Sequence, residues 1–344
     1  MTIGGETPPL LTTGGETPRL LTTGGETPRL RGETPRLLGV LLLLAIAALA
    51  LALGSGADGL DWGDVPTAVL WELRLPRALC AFAVGGLLAL AGTLMQVLLR
   101  NPLADPYILG ISGGAACATL LALLLGLPAA WLTGSAFIGA LGAMLLVFAL
   151  GRVGSAADGT QLLLTGVVLA AGWGALVTLL LALSPTARLP GMLFWLMGDL
   201  SNADTPGSPL LLLAGGTLTA LALARPLDLL LQGEIPAATL GVSTGALRQA
   251  IFLLASLLTA TAVAIAGSIG FLGLVAPHLL RLLGATDHRR LIPGAALLGG
   301  ILLLLADTLA RTLTAPRELP VGVLTALLGV PLFLYLLRRD AHAL

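Results

Sequence analysis

The chain has 344 residues, of which 56% are hydrophobic and only 10% charged, with a mean hydropathy of +0.98. Soluble domains carry roughly 25% charge and a membrane-spanning helix needs about 20 apolar residues, so this composition excludes a soluble enzyme, a nucleic-acid binder and a disulfide scaffold, and holds material for about ten spans. The formal net charge is zero, which gives a polyanionic partner no electrostatic footing.

All 18 basic residues are arginine. Without lysine the chain cannot form a GxxxxGK[ST] phosphate loop, so if ATP drives this protein another chain hydrolyses it. Cys80 and Cys117 lie in apolar stretches and read as small buried thiols.

In chain order, residues 4–38 repeat GGETPPLLTT, GGETPRLLTT, GGETPRL and RGETPRLL. Each unit carries glycine and proline, which break regular structure, and the period of about ten is too short for a solenoid. Residues 1–36 are therefore expected to be a disordered low-complexity tail without a signal peptide, and 37–344 the membrane domain; a docking tail is the alternative reading. Apolar stretches follow near 37–53, 78–99, 107–126, 129–150, 161–183, 208–224, 249–267, 269–283, 293–313 and 321–337. The last-but-two pair, 249–283, invites reading as one long helix with a break. An even span count puts both termini on one side. With the termini inside, thirteen arginines fall on inner segments and five (Arg74, Arg77, Arg188, Arg311, Arg317) on outer ones, which favours cytoplasmic termini.

Three segments carry more than hydrophobicity. In residues 73–118, Arg74 and Arg77 sit at the outer mouth of span 2, on the side that should be poor in positive charge. Interfacial snorkelling would explain them; so would guanidinium forks presented to carboxylates of a partner. At the far end of that helix, Arg100-Asn101-Pro102-Leu103-Ala104-Asp105-Pro106 holds two prolines that force a turn, either an ordinary turn or a constriction at the inner end of a pathway. Residues 227–250 form the longest inside loop, with Glu234, Arg248, Gly241 and Gly245 suggesting two short helices joined by a glycine turn. It lacks a basic face for lipid headgroups and suits a groove on a cytosolic protein. In residues 267–339, Asp307 and Arg311 are i,i+4 on one helix face, either a self-neutralising pair or a placement of Arg311 beside Arg74 and Arg77 at the outer mouth. The histidines His278, His288 and His342 form no HExxH, and no cysteine cluster or GxSxG is present, so catalysis is not expected.

Taken together, RLPR at 74–77, GLLALAGTLMQ at 86–96, RNPLADPYILGISGGA at 100–115, QGEIPAATLGV at 232–242, GFLGLVAPHLLRLLGATDHRRLIPG at 270–294, LLLADTLAR at 303–311 and ELPVGVLTALLGVPLFLYLLRR at 318–339 resemble the permease subunit of the iron-siderophore/haem/cobalamin ABC importers. The resemblance covers about residues 40–340 and implies an all-α membrane protein with about ten transmembrane helices in the type II ABC importer permease fold. It implies a second permease subunit in a homodimer or near-identical heterodimer, two separate ABC ATPase subunits, a periplasmic or lipid-anchored substrate-binding protein, and location in the bacterial or archaeal cytoplasmic membrane. No cofactor and no resident metal are implied, because the chelate travels intact. Carried onto matching positions, Arg74, Arg77 and Arg311 would receive acidic residues of the binding protein, and Asn101 and Leu103 would form part of the cytoplasmic gate. Gly159 and Thr160 would supply the other part, with glycine departing from the hydroxyl often found there. Gly233, Glu234, Leu240 and Gly241 would belong to the helices that seat in the ATPase. The rival expectation is an ion-coupled secondary transporter using Asp307 as its ion site.

Overall fold

The computed structural model describes residues 34–56, 59–60, 66–151 and 159–341. The repeat tail up to residue 33, Arg152 and His342 lie outside the described residues. The helices are α1 (Thr34–Gly54), α2 (Leu75–Leu98), α3 (Ile111–Leu124), α4 (Ala129–Leu150), α5 (Gly159–Leu183), α6 (Leu189–Leu196), α7 (Gly207–Ala222), α8 (Ala224–Leu231), α9 (Glu234–Thr239), α10 (Thr244–Ala266), α11 (Leu272–Leu282), α12 (His288–Thr312) and α13 (Val321–Ala341). A two-residue antiparallel ladder pairs Ser55–Gly56 with Gly59–Leu60. The all-α expectation therefore holds, and every expected span has a helix beneath it.

Six helices are long and apolar enough to cross a bilayer, and α7 with α8, bent by 60°, makes a seventh. The other three expected spans fall on shorter apolar helices, α3, α11 and α13. Two of them are short because irregular backbone replaces their first turns. Before α3 the chain runs through a 3₁₀ turn, Pro106–Leu109, and Gly110 at φ 72°. Before α11 it passes Gly267 and Phe271, both at positive φ. The two breaks meet: the Ile269 N–H donates to the Tyr107 hydroxyl at 3.2 Å, and the Asp199 N–H donates to the Ala266 carbonyl at 2.9 Å. Non-helical backbone at membrane depth is tolerated when protein supplies its hydrogen bonds. Residues 249–283 are accordingly two helices, separated by this break.

α2 is the axis of the bundle. From Ala78 onward nearly all of it is buried, against α12, α10, α11 and α7. Lipid tails are as apolar as leucine, so helices in a bilayer associate through close backbone approach at small residues. A Cβ on Gly85 would lie 2.2 Å from the Gly299 carbonyl oxygen, and one on Gly92 would lie 2.0 Å from that of Gly273. Gly114 and Gly139 make the same kind of crossing between α3 and α4. At the periphery, α1 turns Leu42, Leu43, Leu44 and Ile46 outward, and α5 is almost unburied along its length. Both cysteines are unpaired thiols, Cys80 buried and Cys117 half-buried.

Candidate functional site

Two polar regions lie at opposite ends of α2. At its start, a π-helical turn (Val69–Arg74) runs straight into α2, where Pro76 is the second residue. Arg74 and Arg77 are thus part of one continuous helix rather than of a loop at its mouth. Asp307, wholly buried on α12, accepts from Arg77 Nη2 at 2.9 Å and Arg77 Nε at 3.1 Å, and Arg311 Nε lies 3.3 Å away as an ion pair. Arg77 Nη1 also reaches Glu318 at 3.0 Å. Arg74 Nη1 donates to the Leu53 carbonyl at 2.7 Å and Arg311 Nη2 to that of Ala52 at 3.3 Å, so both cations cap the C-terminus of α1, where the helix dipole favours them. The three arginines and Glu318 border a cavity of about 460 Å³ that also takes in Glu72, Ser201, Asp204 and Pro316.

All three arginines expected at this end thus have partners within the chain. The side chains of Arg77 and Arg311 are only 13% and 12% exposed, and Asp307 holds both. The i,i+4 pairing of Asp307 with Arg311 exists, but the shorter contact comes from Arg77, 230 positions away in sequence. A buried acid demands a cation; sequence spacing exposes only the partner on its own helix. A further cation, Arg188, caps α3 by donating to the carbonyls of Leu123 and Leu124 at 2.8 and 2.6 Å.

At the other end, α2 stops at Leu98 and the chain reverses through Arg100, a non-glycine residue at φ 47°. The Asn101 N–H closes back on the Gln96 carbonyl at 3.1 Å, and the Asn101 side-chain oxygen accepts from the Leu103 N–H at 2.9 Å. Asn101 therefore builds the turn, and Leu103, 40% exposed, is what projects from it. Asp105 accepts from the Tyr107 N–H at 2.9 Å; burial pushes its carboxyl up to about 6, against the lowering effect of that amide. Gly159 and Thr160 open α5. Further along α5, a Cβ on Gly166 would lie 2.7 Å from the Ile108 carbonyl, so this helix leans on the same turn.

The loop expected to form two short helices does so as α8 and α9, hinged at Gly233 (φ 126°), while Gly241 (φ 83°) separates α9 from α10. Gly245 is not a hinge; it lies inside the first turn of α10. α8 is fixed to the start of α12 by Asp228, which accepts from the His288 N–H at 3.2 Å and contacts the buried His288 ring at Nδ1. Ile235 on α9 and Leu240 just after it are 80% and 64% exposed. Glu234 accepts from both Arg100 and Arg248. The sequence shows Glu234 and Arg248 in one loop but does not bring Arg100 to them. Among the described residues no group of three or more His, Cys, Asp or Glu side chains could hold a metal ion.

This two-ended helical bundle has known counterparts. The FecCD transport family profile matches residues 22–339. The chain is 45% identical over 328 residues to a hemin transport system permease protein of Yersinia pestis, covering 89% of this chain and 96% of that protein. It is 40% identical over 309 residues to a vitamin B12 import system permease protein of Salmonella typhi, covering 87% and 94%. Among solved structures, a metal-chelate type ABC transporter in an inward-facing conformation superposes with a TM-score of 0.81 at 35% identity, over 89% of this chain and 99% of that one. The fold is that of the type II ABC importer permeases, and the chain belongs to the FecCD transport family, as a multi-pass transport subunit rather than an enzyme.

Proposed function

We propose that this chain is the membrane permease of an ATP-driven importer that carries a metal chelate inward, with haem the first cargo to test and cobalamin the second. The observation that carries this reading is the family match along nearly the whole chain, joined to a sequence whose lack of lysine leaves nucleotide hydrolysis to separate ATPase subunits. Residues 37–344 act as one transport domain, with both termini cytoplasmic as the arginine distribution favours. A second permease copy packs beside the first, and the nearly unburied α5 suits such a contact. Gly233, Glu234, Leu240 and Gly241 seat against the ATPase, whose cleft takes the outward apolar side chains of α9. Asn101 and Leu103, with Gly159 and Thr160, narrow the inner mouth. Rocking of the paired helices opens the two mouths in turn. Asp307 is doubly paired, which argues against an ion-coupled site at that residue.

The test is reconstitution. Permease, ATPase subunits and hemin-loaded binding protein in proteoliposomes should accumulate hemin only with ATP and the ATPase subunits present. Uptake by the permease alone would reject the reading.

At the outer mouth, Arg74, Arg77 and Arg311 receive acidic residues of the binding protein, with the exposed Glu318 the partner most easily exchanged. Because Arg77 and Arg311 also hold Asp307, the clean probe is Arg74→Glu. Facing like charge across an interface, this variant should bind the binding protein at least about tenfold more weakly in a nanodisc titration, with ATPase assembly unchanged. An unaltered affinity removes Arg74 from the docking surface.

A further inference from the structure

Three separate pieces of backbone converge on one carboxylate at the inner end of the bundle. Glu234, the first residue of α9, accepts from Arg100 Nη2 at 2.5 Å and from Arg248 Nη1 at 2.6 Å, both on the same oxygen. Arg248 stands in the early turns of α10, a rigid helix of 23 residues. Arg100 is joined by one peptide bond to Asn101, whose amide is tied into the last turn of α2. We propose that Arg100 is a positioning residue, and that its bond to Glu234 is the physical link by which movement of α9 displaces the Asn101–Leu103 turn, with Arg248 as the fixed pivot. This deepens the importer reading and rests on it.

The surroundings say how such a link can be conditional. In the free chain the side chains of Arg100 and Glu234 are 45% and 42% exposed, and a solvated ion pair contributes little. Seating a partner over α9, where Ile235 and the following Leu240 are already exposed, excludes water from the pair and lowers its local dielectric, which strengthens the same contact. The link then tightens when the motor subunit is in place. Arg100 also holds a left-handed backbone at φ 47°, a conformation that long side chains seldom keep unless their surroundings require it. The alternative role for Glu234, a contact to the ATPase alone, would leave Arg100 without consequence for gating.

The experiment uses the full permease–ATPase complex in nanodiscs, with a spin label at Leu103→Cys in a background lacking Cys80 and Cys117, and ATP with vanadate as the probe. Both the label-to-label distance across the permease pair and the rate of ATP hydrolysis are read. In Arg100→Gln, hydrolysis should persist while the nucleotide-driven shift in gate population falls about tenfold, and in Glu234→Gln the shift should fall at least as far. Arg100→Lys, which keeps a cation in reach, should restore most of it, and the double variant Arg100→Gln/Glu234→Gln should be no worse than Glu234→Gln alone, because Arg100 then has no carboxylate left to lose. A full shift in the variants, or additive losses in the double, would overturn the link alone. A wild-type complex in which ATP with vanadate moves nothing would overturn the link and the importer reading together.

Discussion

Asp307→Ala is expected to destabilise this protein more than removal of any other single charge. The side chain is fully buried and holds two guanidiniums that are themselves 12–13% exposed. Removing one partner of a buried ion pair costs about 3–5 kcal/mol because the remaining charge stays desolvated, and here two charges are left. Asp307→Asn keeps the shape but not the charge, so it should lose nearly as much. The compensating experiment is informative: Asp307→Ala combined with Arg77→Met and Arg311→Met replaces the cluster by apolar packing and should recover a substantial part of the loss. Thermal unfolding of the detergent-purified chain measures all of these. A midpoint for Asp307→Ala equal to wild type would show that the cluster is not what joins α2 to α12 at this end.

Gly92→Val should be the most damaging of the apolar substitutions. Its Cβ would sit 2.0 Å from the Gly273 carbonyl oxygen and 2.5 Å from the Gly273 carbonyl carbon. The obstacle is backbone, so no side chain can rotate aside, and α2 and α11 would have to separate. Overpacking costs about 1–3 kcal/mol and sometimes more; this site belongs at the upper end, since the displaced helices also lose their dispersion contacts. The control is Gly142→Ala on α4, where a Cβ meets nothing within 4 Å and helix propensity favours alanine by about 0.5–1 kcal/mol. The same unfolding measurement should show a large drop for Gly92→Val and none for Gly142→Ala. Equal midpoints for the two would mean that this glycine crossing does not set the spacing of the bundle.

Much of the inner end was readable from residue order. Pro102, Pro106 and the glycines around 233–241 lie where the chain must turn, and turns of that kind follow from local backbone preference. The amphipathic pieces between residues 224 and 239 became α8 and α9 for the same local reason. What residue order concealed was association. Arg100 looked like the end of a helix and Glu234 like a loop acid, and only the bundle brings them to one oxygen. At the Arg74 end of α2, spacing showed Asp307 and Arg311 as a pair on one helix, and only the bundle adds Arg77 to them.

Composition and pattern by themselves determined that this chain lives in a bilayer as a helical bundle, that it cannot form a GxxxxGK[ST] phosphate loop, and where its polar interruptions lie, because hydropathy, helix length and the absence of lysine are properties of the chain in one dimension. Only the tertiary structure decided which helices are shortened by irregular backbone, that α2 is the axis, and which charges neutralise which. Those outcomes depend on close approaches between residues some 130 to 230 positions apart, such as Gly92 with Gly273, Glu234 with Arg100 and Asp307 with Arg77. In lipid, helix association is set by steric fit at small residues and by the need of each buried charge for a partner, and neither is written in local sequence spacing.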